Sequence, residues 1–197
     1  VDNTGTQAVA ASHTGGGDLT FDVTNSDFDN IVDINANGTG DVNHTFNDTV
    51  VDTTGADVAY TLSLDTNVTN AVVQVRRSDF TADTATAFNF DSTSAGVKNV
   101  TFELSNSMTT NLSAGASAEI DAFGATVLGA TINENTFTNA GAGNNFDLAA
   151  NDGTTIVNLS MDLNTTVGGT ASVVLRELNA ADFNIVNRDT LITRNPG

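Results

Sequence analysis

The sequence predicts an all-β fold, an antiparallel β-sandwich or jelly roll of about ten strands, and three observations carry that expectation. Apolar and polar residues alternate with period two in short runs bounded by Gly, Asn, Asp and Ser. Good helix formers such as Glu, Lys and Gln are scarce, and no window of about a dozen residues keeps a 3.6-residue apolar period. Eleven Phe stand beside one Tyr and no Trp, so phenyl rings are expected to fill the core.

The N-terminal stretch has its own logic. Thr6, Gln7, Ala8, Val9, Ala10, Ala11 and Ser12 form a small, uncharged, strand-like arm, cut off from the remainder by Gly15, Gly16 and Gly17. Three successive glycines cost much entropy to fix, so they read as a hinge. The arm either folds back as a first strand or swings out and completes a neighbour's sheet by strand addition. Residues 1–17 are therefore read as arm and hinge, and 18–197 as a single sandwich domain.

Along that domain the clearest alternation is Val58 to Leu64, with Val58, Tyr60, Leu62 and Leu64 on one face. Val100 to Leu104 and Val157 to Leu163 repeat it. Further strands are expected over 19–24, 30–35, 44–51, 71–77, 116–121, 125–132 and 171–178, with a hairpin turn at Asp152-Gly153. Single helical turns are expected within 78–90 and 179–183.

Composition excludes several classes. Twenty-four acidic residues against six basic ones give a formal charge of −18, with no basic cluster beyond Arg76-Arg77, which argues against nucleic acid as a partner. Acidic excess with one lysine fits a halophile, where molar salt shortens the Debye length to about 3 Å and screens self-repulsion. Cysteine is absent, so no disulfide or thiolate chemistry is available. No apolar run is long enough to span a bilayer, and a chain starting at Val suggests export and processing. Two histidines, His13 and His44, stand in no recognisable catalytic spacing, and nothing selects a carboxylate pair, so no enzyme is expected.

One motif points to a metal. Asp33, Asn35, Asn37, Thr39 and Asp41, with Gly38 at the sharp turn, match the start of a calcium loop. His44 stands where the bidentate Glu belongs, and the competing reading is an Asn/Gly-rich turn. Eight N-x-[ST] sequons, at Asn37, Asn43, Asn47, Asn67, Asn99, Asn111, Asn158 and Asn164, are candidate glycan acceptors in an exported chain.

Two segments carry a resemblance. Gly17-Asp18-Leu19-Thr20-Phe21-Asp22-Val23 and the stretch from His44 to Leu62 resemble the TasA/camelysin family of secreted, fibre-forming jelly-roll proteins and its archaeal relatives. The first resembles a short Gly-x-Leu strand and the second a following hairpin. The resemblance implies export, a jelly roll and polymerisation by a donated N-terminal strand. The function expected is thus a homopolymeric subunit of an extracellular, pilus-like filament or surface layer; the alternative is a jelly-roll capsid or decoration protein of a virus infecting a halophile.

Overall fold

The computed structural model describes residues 7–55, 57–92, 96 and 98–187. The chain winds in coils of three short strands. The first coil is β1 (Val9–His13), β2 (Leu19–Thr24) and β3 (Asp27–Phe28); the next is β4 (Val32–Ala36), β5 (Val42–Asn47) and β6 (Val50–Thr53). There follow β7 (Tyr60–Leu64), β8 (Asn70–Arg76) and β9 (Asp79–Ala82), then β10 (Phe88–Ser92), β11 (Lys98–Ser105) and β12 (Met108–Asn111). The winding continues through β13 (Ala118–Phe123), β14 (Thr126–Asn133) and β15 (Thr136–Asn139), then β16 (Asn144–Asn151), β17 (Ile156–Asp162) and β18 (Thr165–Gly168). It finishes with β19 (Ala171–Leu178) and β20 (Asp182–Ile185).

Equivalent strands of successive coils stack into three parallel sheets. Sheet A has seven strands, in the order β1-β4-β7-β10-β13-β16-β19; sheet B has seven, β2-β5-β8-β11-β14-β17-β20; sheet C has six, β3 to β18. The fold is a parallel β-solenoid, which corrects the antiparallel jelly roll expected from the sequence. In sheet A, Val32 pairs with Tyr60, Tyr60 with Phe88, Phe88 with Ala118 and Ala118 with Phe146, so one coil takes 28 to 30 residues. The stretch from His44 to Leu62 is no hairpin: β5, β6 and β7 lie in three different sheets. Asp152-Gly153 likewise turns a corner from sheet A to sheet B. No helical turn forms within 78–90 or 179–183, where β9, β10 and β20 lie instead.

The alternation seen in the sequence is nonetheless real. Each strand turns one face into the solenoid and the other to water, so the period is two whichever way the neighbouring strand runs. Inside, Phe28, Phe46, Phe80, Phe88, Phe90, Phe102, Phe137 and Phe146 are buried. Rings stack from coil to coil: Tyr60 on Phe88 with centroids 4.9 Å apart, Phe46 on Phe80 at 5.6 Å.

The corner between sheets B and C repeats the same device. Asn25, Asp48, Arg77, Asn106, Glu134 and Leu163 all have φ between 49° and 58°, a left-handed conformation that turns the chain in one residue. The next residue of each coil points inward, and Thr49, Ser78, Ser107, Asn135 and Asn164 form a polar ladder. Thr49 N–H donates to Ser78 Oγ and Ser78 N–H to Ser107 Oγ, both at 3.2 Å. Ser107 N–H donates to Asn135 Oδ1 and Asn135 N–H to Asn164 Oδ1, both at 3.0 Å. Backbone donors that the sharp corner withdraws from the sheets are thereby satisfied inside the protein.

Candidate assembly interface

A solenoid has sides and ends, and the two behave differently here. Of the apolar side chains that pack on the core while only partly buried, Ala8, Val9, Ala11, Leu19, Phe21 and Val23 lie at or before β2, and Val173, Leu175 and Phe183 lie on β19 and β20. Every one belongs to an end. In the middle coils the equivalent positions, such as Tyr60, Phe88 and Leu62, are fully buried because a coil lies above and below them.

The end strands also present edges. β1 pairs only with β4 and β2 only with β5; at the opposite end β19 pairs with β16 and β20 with β17. Val9 N–H donates back to Ile31 O at 3.1 Å, so the alternation of a strand turns the N–H groups of Ala10 and Ser12 toward the open edge. Asn187 closes part of the far end. Its Nδ2 donates to Met161 O at 2.7 Å and its Oδ1 accepts from Met161 N–H at 3.1 Å, so one side-chain amide takes the place of a strand partner.

Charge differs between the ends. The first basic residue of the chain is Arg76, so every charged side chain before it is an Asp. Among the described residues from 171 onward, Arg176 stands beside Glu177 and Asp182 and is paired with Asp147 of its own sheet.

The residues singled out in the sequence fall as follows. Ala8 to Ser12 belong to or adjoin β1, on the protein's own sheet A, and Gln7 donates to Asp33 Oδ2 at 3.4 Å; Thr6 lies outside the described residues. Gly15, Gly16 and Gly17 make the corner between β1 and β2, with Gly15 O accepting from Thr39 N–H at 3.2 Å. Asp33 and Asn35 point outward from β4, while 37–41 form the next corner, where Asp41 N–H donates to Asp18 Oδ1 and Asn70 Nδ2 donates to Asp41 Oδ1. Gly38 is explained by crowding: a Cβ there would lie 1.9 Å from the His13 ring and 2.5 Å from Gly15 O. His44 is turned inward, its Nδ1–H donating to Phe21 O at 3.0 Å and its Nε2 accepting from the Tyr60 hydroxyl. Burial pushes its pKa down to about 4. Among the described residues no three His, Asp or Glu side chains are arranged to hold a metal ion.

The sequons divide sharply. Asn111 and Asn164 are buried to 0 % and 1 % exposure with Nδ2 donating to carbonyls of neighbouring coils, whereas Asn43, Asn67 and Asn99 are exposed. Asn37, Asn47 and Asn158 are half-buried.

Sequence reasoning missed one constellation on the outside of sheet A. Asp91 of β10 lies opposite Asp121 of β13, and Glu119 of β13 opposite Asp147 of β16. Arg176 donates to Asp147 Oδ1 at 2.9 Å and reaches Glu119 at 3.8 Å. Partial burial, with Glu119 adding repulsion, pushes both Asp91 and Asp121 up to about 6. Like charges directly opposed on adjacent strands destabilise a sheet. Only the register of sheet A could have exposed this pairing, since the opposed carboxylates are 28 to 30 residues apart in the chain. A pocket of about 250 Å³ lies at the B–C corner, lined by Glu103, Asn133, Glu134 and Asp162 among others.

Compared with family models, curated proteins and solved structures, the chain matches none.

Proposed function

We propose that the protein is a structural subunit of an extracellular filament or surface layer in which solenoids stack end to end. The supporting observation is that core side chains only partly buried lie at the two ends, on strands whose outer edges have no strand partner among the described residues. All strands of a sheet run parallel, so β19 of one copy adds to β1 of the next in the direction the sheet already follows, and β20 adds to β2. Val9, Leu19 and Phe21 then gain the cover that Tyr60 and Phe88 have within one chain.

This reading keeps the N-terminal arm as the polymerising element and changes its mechanism. Residues 8–13 are occupied on their own β4, so they offer an edge to a neighbour rather than leaving to fill its groove. The contact is heterologous, two different surfaces of each copy, and propagates as an open polymer. High salt screens the acidic repulsion between subunits while apolar burial persists. A capsid or decoration role would have to be carried by a solenoid, since the jelly roll it presumed is not the fold.

The test is negative-stain electron microscopy in molar salt of the protein beside Ala10→Pro, which removes an edge donor of β1. Filaments from the first and soluble, folded single particles from the second support end stacking; single particles from both contradict it.

A further inference from the structure

One inward column of sheet A begins on a histidine and ends on a glutamate. His13, the last residue of β1, pairs with Ala36, and Ala36 with Leu64. Ser92, the residue after the Ser63–Asp91 pair, continues the column; it pairs with Ala122, Ala122 with Ala150 and Ala150 with Glu177 of β19. Ala36, Leu64, Ser92, Ala122 and Ala150 are buried, whereas Glu177, on the last strand of the sheet, is exposed. Arg176 turns outward to Asp147, so by alternation Glu177 stands on the core-facing side of β19. A carboxylate in that position can be covered only by a group that gives it a hydrogen bond. Arg176, the one cation of β19, is already taken up by Asp147 and Glu119.

His13 offers such a group at the opposite end. The second coil makes room for its ring at Gly38, where a Cβ would lie 1.9 Å from Cε1 and 2.1 Å from Nδ1. That Nδ1 is enclosed with no hydrogen-bond partner among the described residues. A neutral imidazole whose Nδ1 is left bare carries its proton on Nε2 and donates from there.

We infer that Glu177 of one copy accepts a hydrogen bond from His13 of the next, and that this pair sets the register of the end-to-end junction. The inference rests on the end-stacked filament proposed above. Continuing sheet A by one step lays β19 on β1 with Val173 against Val9, Leu175 against Ala11 and Glu177 against His13. A strand can slip only in steps of two residues if its inward face is to stay inward.

Each slipped register penalises the carboxylate. One slip puts Glu177 on the Ala11 methyl, desolvated and without a donor. The opposite slip sets Leu175 on His13 and carries Glu177 past the end of β1 to Gly15. Apolar burial alone accepts all three registers, because Val173 and Leu175 meet apolar neighbours or a ring in each. The carboxylate accepts one.

The test exchanges the two residues. The parent, His13→Glu, Glu177→His and an equimolar mixture of the two variants are brought to molar salt. Sedimentation and electron microscopy give the critical concentration for filaments, and circular dichroism checks each fold. Alone, His13→Glu sets carboxylate on carboxylate and Glu177→His sets imidazole on imidazole, so each should raise the critical concentration about tenfold or more. In the mixture, copies that alternate join a carboxylate to an imidazole at every junction, and the parent's critical concentration should return. A folded variant that polymerises alone like the parent, or a mixture of folded variants no better than its components, overturns the pair and leaves end stacking standing. Glu177 is exposed in the single chain, so Glu177→His decides alone should His13→Glu fail to fold. A parent that forms no filaments at all sinks the end-stacking reading and this inference with it.

Discussion

Asn135 and Asn164 hold three coils together through two side-chain amides. Asn135 donates from both its backbone N–H and its Nδ2 to Asn164 Oδ1, at 3.0 and 2.9 Å, while Asn164 Nδ2 donates to Ile132 O at 2.7 Å. Asn135 Nδ2 also reaches Leu104 O at 2.8 Å and its Oδ1 accepts from Ser107 N–H. Both residues are almost wholly buried, so each bond is made away from water. Replacing Asn135 by Leu orphans the buried Ser107 N–H and removes a side-chain donor from the Leu104 carbonyl, and should cost about 2 kcal/mol. Urea unfolding measures it; a loss below about 0.5 kcal/mol would show that the ladder is ornamental.

Thr109 marks the opposite case. It faces inward on sheet C between Phe80 and Phe137, is fully buried, and its hydroxyl has no hydrogen-bond partner among the described residues. Thr109→Val keeps the shape and removes the unpaired group. Stability should rise by about 1 kcal/mol in the same urea assay.

The two strand types explain what could be read before the structure was known. Strands of sheets A and B run mostly five to eight residues and alternate cleanly, so β2 and β19 coincide with the runs expected at 19–24 and 171–178. Sheet C strands are two to four residues long, and Met-Thr-Thr-Asn or Thr-Thr-Val-Gly shows no apolar alternation, so apart from Val50 and Val51, absorbed into the strand expected at 44–51, this sheet was illegible. The expected strand 44–51 merged two strands because the one-residue left-handed corner at Asp48 carries no Gly or Pro to announce it. Parallel direction escaped for a physical reason: one wet face gives the same period-two pattern in a sandwich and in a solenoid. The signal that discriminates is the spacing of about 28 residues between Tyr60, Phe88 and Phe146-type positions, blurred by coils of unequal length. Of the candidate site, the arm's composition was legible, whereas its seat on β4 and the carboxylate pairs of sheet A depend on register.

Stability should respond to pH through two opposing groups. His44 is held neutral by burial, with a pKa near 4 against 6.5 when free, so its contribution is complete above pH 6.5 and is lost as pH falls toward 4. The full shift corresponds to something on the order of 3 kcal/mol. Asp91 and Asp121 are displaced the other way, so their contribution is complete below pH 3.8 and is lost as pH rises through about 6. Glu119 and Lys98 act on Asp91; Glu119, Asp91, Arg176 and Asp147 act on Asp121. Between pH 4 and 6 the two trends offset. Thermal melts of Asp91→Asn/Asp121→Asn should uncover the histidine, with stability rising steadily over that interval and exceeding the parent at pH 8. A double variant whose profile overlays the parent's would refute the assignment.

Gly38 should tolerate no side chain. Gly38→Ala forces a Cβ into the His13 ring and Gly15 O, so the corner joining β4 to β5 must part from the first coil, at a cost of about 2 kcal/mol. Calcium should not rescue it. A parent-like urea midpoint for the variant would mean that the first coil does not stack as described.

The measurement that bears most directly on end stacking is cryo-electron microscopy of filaments grown in molar salt. Seven strand layers per subunit at about 4.8 Å each give an axial rise of roughly 34 Å, with the layer spacing running unbroken across each junction. That rise, with β1 density beside β19 of the next copy, is the predicted result. Filaments whose subunits meet side to side, with solenoid axes across the filament and the ends of the core facing water, would contradict it.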